Sequence, residues 1–140
     1  MPKINKAVLD THTFIWLMQG SKELSAKIIK TIESYGHDQG LYLSFISLWE
    51  IAMLEQRGRI VLHQPCLQWL EEALEVPGLL IENISPLIAV ESTQLPGEFH
   101  GDPADRLIIA TTRALQATLI TRDTKILSYG QSGHVQCLKI

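Results

Sequence analysis

The sequence predicts an α/β fold, a three-layer α/β/α domain with a mostly parallel central sheet. Short apolar runs alternate with helical patterns along all 140 residues, and strands that alternate with helices form mostly parallel sheets covered on both faces. Acids directly follow two of these runs, at Asp10 and Asp123. Ligands of such sheets bind outside the carboxyl ends of the strands. We therefore expect a single domain over residues 1–140, with a site at that edge of the sheet.

The composition limits the classes of function. With 46% hydrophobic and 19% charged residues, the chain is typical of a globular protein. A net charge of −3 argues against a protein that coats nucleic acid, but not against a nuclease that uses metal ions to meet a phosphate. Residues 1–6 show no signal pattern and no apolar run could span a membrane, so we expect a cytoplasmic protein with no membrane partner. Cys66 and Cys137 lack metal-binding spacing and are predicted to be reduced core residues.

Apolar periodicity, with glycine or serine at the ends, predicts five elements in the first half of the chain. They are a strand over Ala7–Leu9, a helix over Thr11–Gln19 that stops at Gly20, a helix from Leu24 through Tyr35 that ends at Gly36, a strand over Leu41–Phe45, and a helix that a Ser47–Glu50 capping box opens and Gly58 ends. This capping box places Glu50 in the first turn of its helix.

The same signals predict seven elements in the second half. They are a helix over Pro65–Val76 with Leu67, Leu70 and Leu74 facing inward, a strand over Leu79–Ile84, a helix capped by Ser85 that runs to about Gln94, a central helix that begins after Asp102, a strand over Thr118–Thr121, a helical turn over Lys125–Tyr129, and an edge strand over Val135–Leu138.

The chain is organised around the start of the central helix. Asp102 is the predicted N-cap, Pro103 fits the first helical position, and Asp105 falls in the first turn, near the positive end of the helix dipole. The residues that follow are apolar nearly all round, so this helix should be buried. Two explanations for its acids stay open. Asp102 and Asp105 could cap the helix and pair with an arginine. Alternatively, they could form an acidic site that holds a cation.

Four acids share this setting at a strand end or a helix start. They are Asp10, Glu50, Asp105 and Asp123. At about 5 Å and an effective dielectric near 20, each pair of converging carboxylates costs roughly 3 kcal/mol. Such a cluster needs protons, basic partners or a cation, and the adjacent Arg106 and Arg122 should point away from the acids. Oxygen ligands favour Mg²⁺ or Mn²⁺ over zinc, and these ions can activate water and stabilise a phosphoryl-transfer transition state.

Each acid also has a purely structural explanation. Asp10 could cap the first helix, and Glu50 could be only the capping-box partner of Ser47. Asp123 could start a turn, and a cap is the simpler role for Asp102. The argument for a site is that four independent residues are expected at one edge.

Four segments, in this order, resemble the motifs of PIN-domain proteins, and among these the VapC-type toxins of bacterial type II toxin–antitoxin pairs. The segments are Val8–Thr11, Ser47–Ile51, Asp102–Ala110 and Leu119–Asp123. The resemblance covers nearly the whole chain at compatible spacing. It implies a three-layer PIN fold and a Mg²⁺- or Mn²⁺-dependent endoribonuclease, often a homodimer, that a small cognate antitoxin inhibits.

The resemblance also implies roles for individual residues. The metal-binding catalytic acids would be Asp10, Glu50, Asp105 and Asp123. Many relatives place the last acid a few residues further along, after an asparagine, and Asp123 takes that place here. The accessory candidates lie beside these acids and are Thr11, Asp102, Thr121 and Arg106. The candidates for binding the RNA substrate are Arg106, Arg113, Arg122 and Lys125.

Two competing functions stay open. A receiver-like phosphoacceptor domain also binds Mg²⁺ at strand ends, but it normally has an acidic pair after the first strand and a late lysine. In this sequence only Asp10 follows the first strand, and Thr121–Asp123 stands where the late lysine would be. A non-catalytic interaction module with the same fold would have lost one or more acids, and none is missing. Hydrolysis of RNA is therefore the leading hypothesis.

Overall fold

A computed structural model describes residues 5–140 of the chain, so the prediction for residues 1–6 lies largely outside the described part. Five strands form one sheet. They are β1 (Ala7–Leu9), β2 (Leu41–Ser44), β3 (Leu79–Glu82), β4 (Thr118–Thr121) and β5 (Gln136–Lys139). The strand order is β3-β2-β1-β4-β5, and every neighbouring pair is parallel. The predicted parallel sheet is therefore confirmed.

Helices connect these strands. Within residues 5–140 they are α1 (Thr11–Gln19), α2 (Ala26–His37), α3 (Phe45–Gln56), α4 (Cys66–Ala73), α5 (Pro86–Ser92), α6 (Pro103–Leu115) and α7 (Thr124–Gln131). No helix in this described part is both long enough and apolar enough to cross a membrane.

The helices cover both faces of the sheet. In β1, which is fully buried, Ala7 and Leu9 belong to one apolar cluster and Val8 belongs to the other. This division follows from the alternation of side chains along a strand. The first cluster takes buried side chains from α1, α2, α3 and α4, and the second takes them from α5, α6 and α7. The predicted three-layer α/β/α architecture is confirmed.

The order of the strands places a topological switch point at the carboxyl end of β1. The chain passes from β1 to β2 on one side, and later crosses from β3 to β4 on the other side. Leu9 lies opposite Ile120 in the register of β1 and β4, and the Asp10 amide donates to the Ile120 carbonyl at 3.1 Å. Asp10 therefore leaves the sheet beside Thr121, at the point where the connections diverge and where ligands of such sheets bind.

The central helix α6 begins as predicted. Asp102 is its N-cap and accepts a hydrogen bond from the Asp105 amide at 2.9 Å, with Pro103 at the first position. The middle of the helix is buried, including Thr111 and Thr112, whose hydroxyls donate to carbonyl oxygens four residues back at 2.8 and 2.9 Å. The hydroxyls of Thr111 and Thr112 are therefore both hydrogen-bonded although they are buried.

The predicted capping box of α3 is wrong. The helix begins at Phe45, directly after β2, and its N-cap is Ser44, whose hydroxyl accepts from the Ile46 amide at 3.3 Å. The strand passes into the helix without a loop, so the earlier serine takes the cap position. Ser47 therefore lies in the first turn and Glu50 in the second, where both side chains are available for other contacts.

Two further details differ from the predictions. Helix α2 continues through Gly36 to His37, and the left-handed residue after it is Gln39, with φ of 56°. Helix α4 buries Trp69 and leaves Leu67 71% exposed, against the predicted inward position. Residues two apart on a helix face different sides, so burying the larger indole turns Leu67 to the surface.

The two cysteines are free thiols, as predicted, but neither is deep in the core. Cys66 and Cys137 are both only partly buried. Each packs at the margin of one apolar cluster.

Candidate functional site

Asp10 is fixed by two hydrogen bonds at the carboxyl edge of the sheet. As the N-cap of α1, it accepts from the Thr11 amide through Oδ1 at 2.8 Å. Its Oδ2 accepts from the hydroxyl of Thr121, a fully buried residue at the end of β4, at 2.6 Å. Asp10 therefore does serve as a cap, and the second bond also ties it to the neighbouring strand.

Helix α3 brings Glu50 to the same edge. The Thr11 hydroxyl donates to Glu50 Oε1 at 2.5 Å and lies 2.9 Å from the Ser47 hydroxyl. A hydroxyl carries one proton, so Ser47 must donate to Thr11 while Thr11 donates to Glu50. This chain of hydrogen bonds orients one oxygen of Glu50 and leaves Oε2 available.

The role of Ser47 was missed in the sequence analysis. Its position three residues before Glu50 was interpreted as capping, but the same spacing places both side chains on one face of a helix. Because Ser47 is fully buried, it can hold Thr11 in a fixed orientation. The i, i+3 spacing of Ser47 and Glu50 inside the helix was the available signal.

The start of α6 completes a compact group of three carboxylates. Glu50, Asp102 and Asp105 each offer one oxygen, and these oxygens all lie within 4.8 Å of one another. Asp102 belongs to this group although its other role is to cap α6. Asp102, predicted as accessory, therefore lies in the same compact group as Glu50 and Asp105.

Asp10 and Asp123 lie outside this group of three. Asp123 caps α7 and accepts from the Ile126 amide at 3.0 Å, while its own amide donates to the Thr121 hydroxyl at 3.0 Å. The charges of both acids nevertheless reach Asp105 and raise its pKa. The four predicted acids thus share one edge, with Asp10 and Asp123 on the β4 side of the compact group.

The electrostatics of the site act most strongly on Asp105. Burial, followed by the charges of the neighbouring carboxylates, raises the pKa of Asp105 to about 7; the neighbours, in decreasing order of effect, are Asp102, Asp10, Asp123 and Glu50. Burial also raises the pKa of Glu50, against the opposing hydrogen bond from Thr11. It raises the pKa of Asp10 against the bond from Thr121. Negative charge is therefore concentrated here without an equal positive charge.

The nearby arginines do not supply that positive charge. Arg106 donates to the carbonyl oxygens of Ser92 at 2.8 Å and Phe99 at 2.7 Å. These contacts direct the guanidinium of Arg106 to the protein backbone. Arg122 pairs with Glu23, and its guanidinium lies 4.7 Å from the centre of the Trp16 ring.

Comparison with known proteins assigns the chain to a family. Residues 7–131 match the model of the PIN domain. The chain belongs to the PIN-domain family. It is also 35% identical over 122 residues to Ribonuclease VapC22 of Mycobacterium tuberculosis, covering 87% of this chain and 90% of that protein. The resemblance given by the four motifs is confirmed.

Solved structures share the PIN fold. A toxin–antitoxin complex from Klebsiella pneumoniae matches with a TM-score of 0.60 and 27% identity, over 86% of this chain and 88% of the matched chain. VapBC2 from Rickettsia felis, bound to a DNA fragment from its promoter, matches with a TM-score of 0.68 over 95% and 97% of the two chains. Its identity is only 16%, so this second match supports the fold alone.

The donor set of this PIN domain fits a hard divalent cation. The three converging side chains offer carboxylate oxygens only, which suit Mg²⁺ or Mn²⁺ rather than zinc. Burial and then repulsion from the neighbouring carboxylates raise the pKa of Asp105, and either a proton or a cation would relieve both effects. Because Thr11 and Ser47 already hold Glu50 in place, an ion would meet at least one pre-oriented ligand.

Proposed function

We propose that this PIN-domain chain is a Mg²⁺- or Mn²⁺-dependent endoribonuclease that acts as the toxin of a toxin–antitoxin pair. The observation that carries the proposal is the group of three carboxylate oxygens within 4.8 Å of one another, at the sheet edge where the strand connections diverge. The similarity to a named ribonuclease over most of both chains supports RNA as the substrate.

In this proposal the acids all bind the cation, but different side chains of the protein orient them. Asp10, Glu50, Asp105 and Asp123 are the metal-binding catalytic acids, and Asp102 offers an additional oxygen. When bound, a divalent cation would offset the charge of the phosphate and make a water molecule more acidic. The chain itself orients Asp10 through Thr121 and Glu50 through Thr11. With its pKa raised to about 7, Asp105 would be partly protonated near neutral pH, and binding of a cation would displace that proton.

The receiver-like alternative has less support. A receiver normally has an acidic pair after its first strand, whereas only Asp10 follows β1 here. Arg122, near the position where a receiver has its lysine, is paired with Glu23. Hydrolysis at the carboxylate group therefore accounts for more of the structure.

Two kinds of protein partner belong to the proposal, a cognate antitoxin and a second copy of the chain. The similar solved structure from Klebsiella pneumoniae is a toxin–antitoxin complex. In this chain, Phe45 and Trp49 on α3 are 49% and 55% exposed, and Leu87 and Val90 on α5 are 59% and 54% exposed. Contiguous exposed apolar surface marks protein contacts, and we propose these side chains as part of such a surface. The free cysteines suit the reducing cytoplasm, which we propose as the location.

Cleavage of RNA by the purified chain tests the proposal. We expect cleavage in Mg²⁺ or Mn²⁺ and none in EDTA. Asp10→Asn and Asp105→Asn should each lower the rate by about 100-fold or more, because each removes a carboxylate from the cation site. Asp38→Asn is the matched control, since Asp38 is exposed at the end of α2. Wild-type cleavage by folded Asp105→Asn would show that the mechanism is wrong.

A further inference from the structure

A concave site lies between α7 and the loop that precedes α6. We call it the α7 groove. Its volume is about 480 Å³, within the range of roughly 300–1,000 Å³ typical of small-molecule sites. One side is formed by Thr124, Lys125 and Ser128 of α7, and the other by Glu98 and His100 of the loop.

The α7 groove adjoins the proposed cation site through both of its walls. Thr124 directly follows Asp123, and His100 is two residues before Asp102. An RNA strand with a phosphate at the carboxylates could therefore place a neighbouring nucleotide in this groove.

The charges near the acids favour Lys125 as the residue that meets this nucleotide. Three other candidate cations donate to backbone carbonyl oxygens, namely Arg106, Arg113 and Arg122. Lys125 is exposed, and in residues 5–140 it makes no ion pair. His100 lies 3.6 Å from Glu98. Lys125 is thus the permanent cation in the groove that is available to a phosphate.

The hydroxyl groups of α7 match the remainder of a nucleotide. Thr124 and Ser128 are spaced by four residues and lie along one face of α7, and Ser132, the C-cap residue that follows the helix, continues this row. All three line the groove. Hydroxyls both donate and accept hydrogen bonds. They can therefore meet the ribose and the polar edge of a base.

The loop side of the groove is preformed. A Cβ atom at Gly101 would lie 2.2 Å from Cε1 of Phe99, so only glycine allows this close approach. Arg106 donates a hydrogen bond to the Phe99 carbonyl at 2.7 Å, and the Tyr129 hydroxyl donates one to the Pro96 carbonyl at 2.5 Å. Binding would therefore require little further ordering of this loop, and the entropy cost of binding would be small.

We propose that the α7 groove binds one nucleotide of the RNA substrate, with its phosphate on Lys125 and its sugar or base on the hydroxyls of α7. This inference rests on the proposed ribonuclease function. It assigns part of the substrate-binding surface to Lys125 rather than to the arginines.

Nuclear magnetic resonance of the whole chain with uridine 5′-monophosphate tests the groove without any cleavage step. In EDTA, no cation at the acids can hold the phosphate. We expect saturable shifts of the Thr124 and Ser128 amides, and Lys125→Ala should weaken the affinity by about fivefold or more. Lys30→Ala, an exposed lysine on α2, is the matched control and should bind as wild type. Inorganic phosphate should bind more weakly than the nucleotide.

Three results would overturn the inference. They are the absence of saturable shifts in the groove, an unchanged affinity in Lys125→Ala, and equal affinities for inorganic phosphate and the nucleotide. RNA cleavage in Mg²⁺ separates this inference from the proposed function. Cleavage with a KM that Lys125→Ala leaves unchanged contradicts the groove alone, whereas nucleotide binding in the groove by a chain that cleaves no RNA supports the groove and contradicts the ribonuclease.

Discussion

At Asp105, burial and four neighbouring carboxylates act in the same direction on one carboxyl group. Each of these acids has a local task, since Asp10, Asp102 and Asp123 cap helices and Glu50 accepts from Thr11. Capping at Asp10 and Asp102 and a turn at Asp123 were predicted as alternatives to a cation site, but a structural role and a ligand role do not exclude each other. A carboxylate has two oxygens, and capping uses one of them at Asp102 and Asp123.

The raised pKa of Asp105 predicts how the metal-free chain responds to pH. The folded state keeps a proton up to about pH 7, whereas the unfolded state loses it near 3.8. This contribution to stability is therefore complete below the unfolded pKa and is lost as the pH rises through about 7. In EDTA, the free energy of unfolding should fall between pH 5 and 8, by at most about 1.4 kcal/mol per pH unit for one proton.

Urea denaturation at several pH values measures this dependence. Asp105→Asn should weaken the dependence of the unfolding free energy on pH. This variant should also be more stable than wild type at pH 8, although we expect it to be inactive. Saturating Mn²⁺ should weaken the pH dependence as well, because the cation replaces the proton. If the metal-free wild type becomes more stable as the pH rises from 5 to 8, this account of Asp105 is wrong.

Among the secondary-structure elements, α3 contributes most to the site that the sequence did not predict. The apolar spacing correctly predicted a helix here, but two serines, Ser44 and Ser47, were available as its cap. The choice depends on where β2 ends, which its pairing with β1 and β3 decides. Such pairing is a long-range property that a local cap motif does not contain. Because Ser47 was assigned to the cap, its contact with Thr11 was not predicted.

Substitution of the two serines separates the cap from the site. Ser44→Ala should cost about 1 kcal/mol of stability through loss of the cap and leave RNA cleavage unchanged. Ser47→Ala should have a similar cost through a lost buried hydrogen bond, about 1 kcal/mol, and should also lower cleavage several-fold because Thr11 is less well oriented. The comparison uses urea denaturation and initial rates. Equal rates in the two variants would contradict the role given to Ser47.

At the scale of the molecule, alternation of strands and helices was sufficient to predict the three layers and the edge that carries the acids. The order of the strands was not predicted, and it is this order that sets β4 beside β1 and so places Thr121 against Asp10. The directions of the arginines were also beyond the sequence, because Arg106 and Arg122 find carbonyl oxygens in segments distant along the chain. Local patterns predict elements and caps, whereas these contacts depend on tertiary packing.

The central claim is that carboxylates from separate elements converge to bind a divalent cation, and calorimetric titration of the metal-stripped chain with Mn²⁺ tests it most directly. We predict saturable binding by wild type, affinity lowered by about tenfold or more in Glu50→Gln and Asp105→Asn, and wild-type affinity in Asp38→Asn. Absence of Mn²⁺ binding, or equal affinities in wild type and folded Asp105→Asn, would contradict the claim.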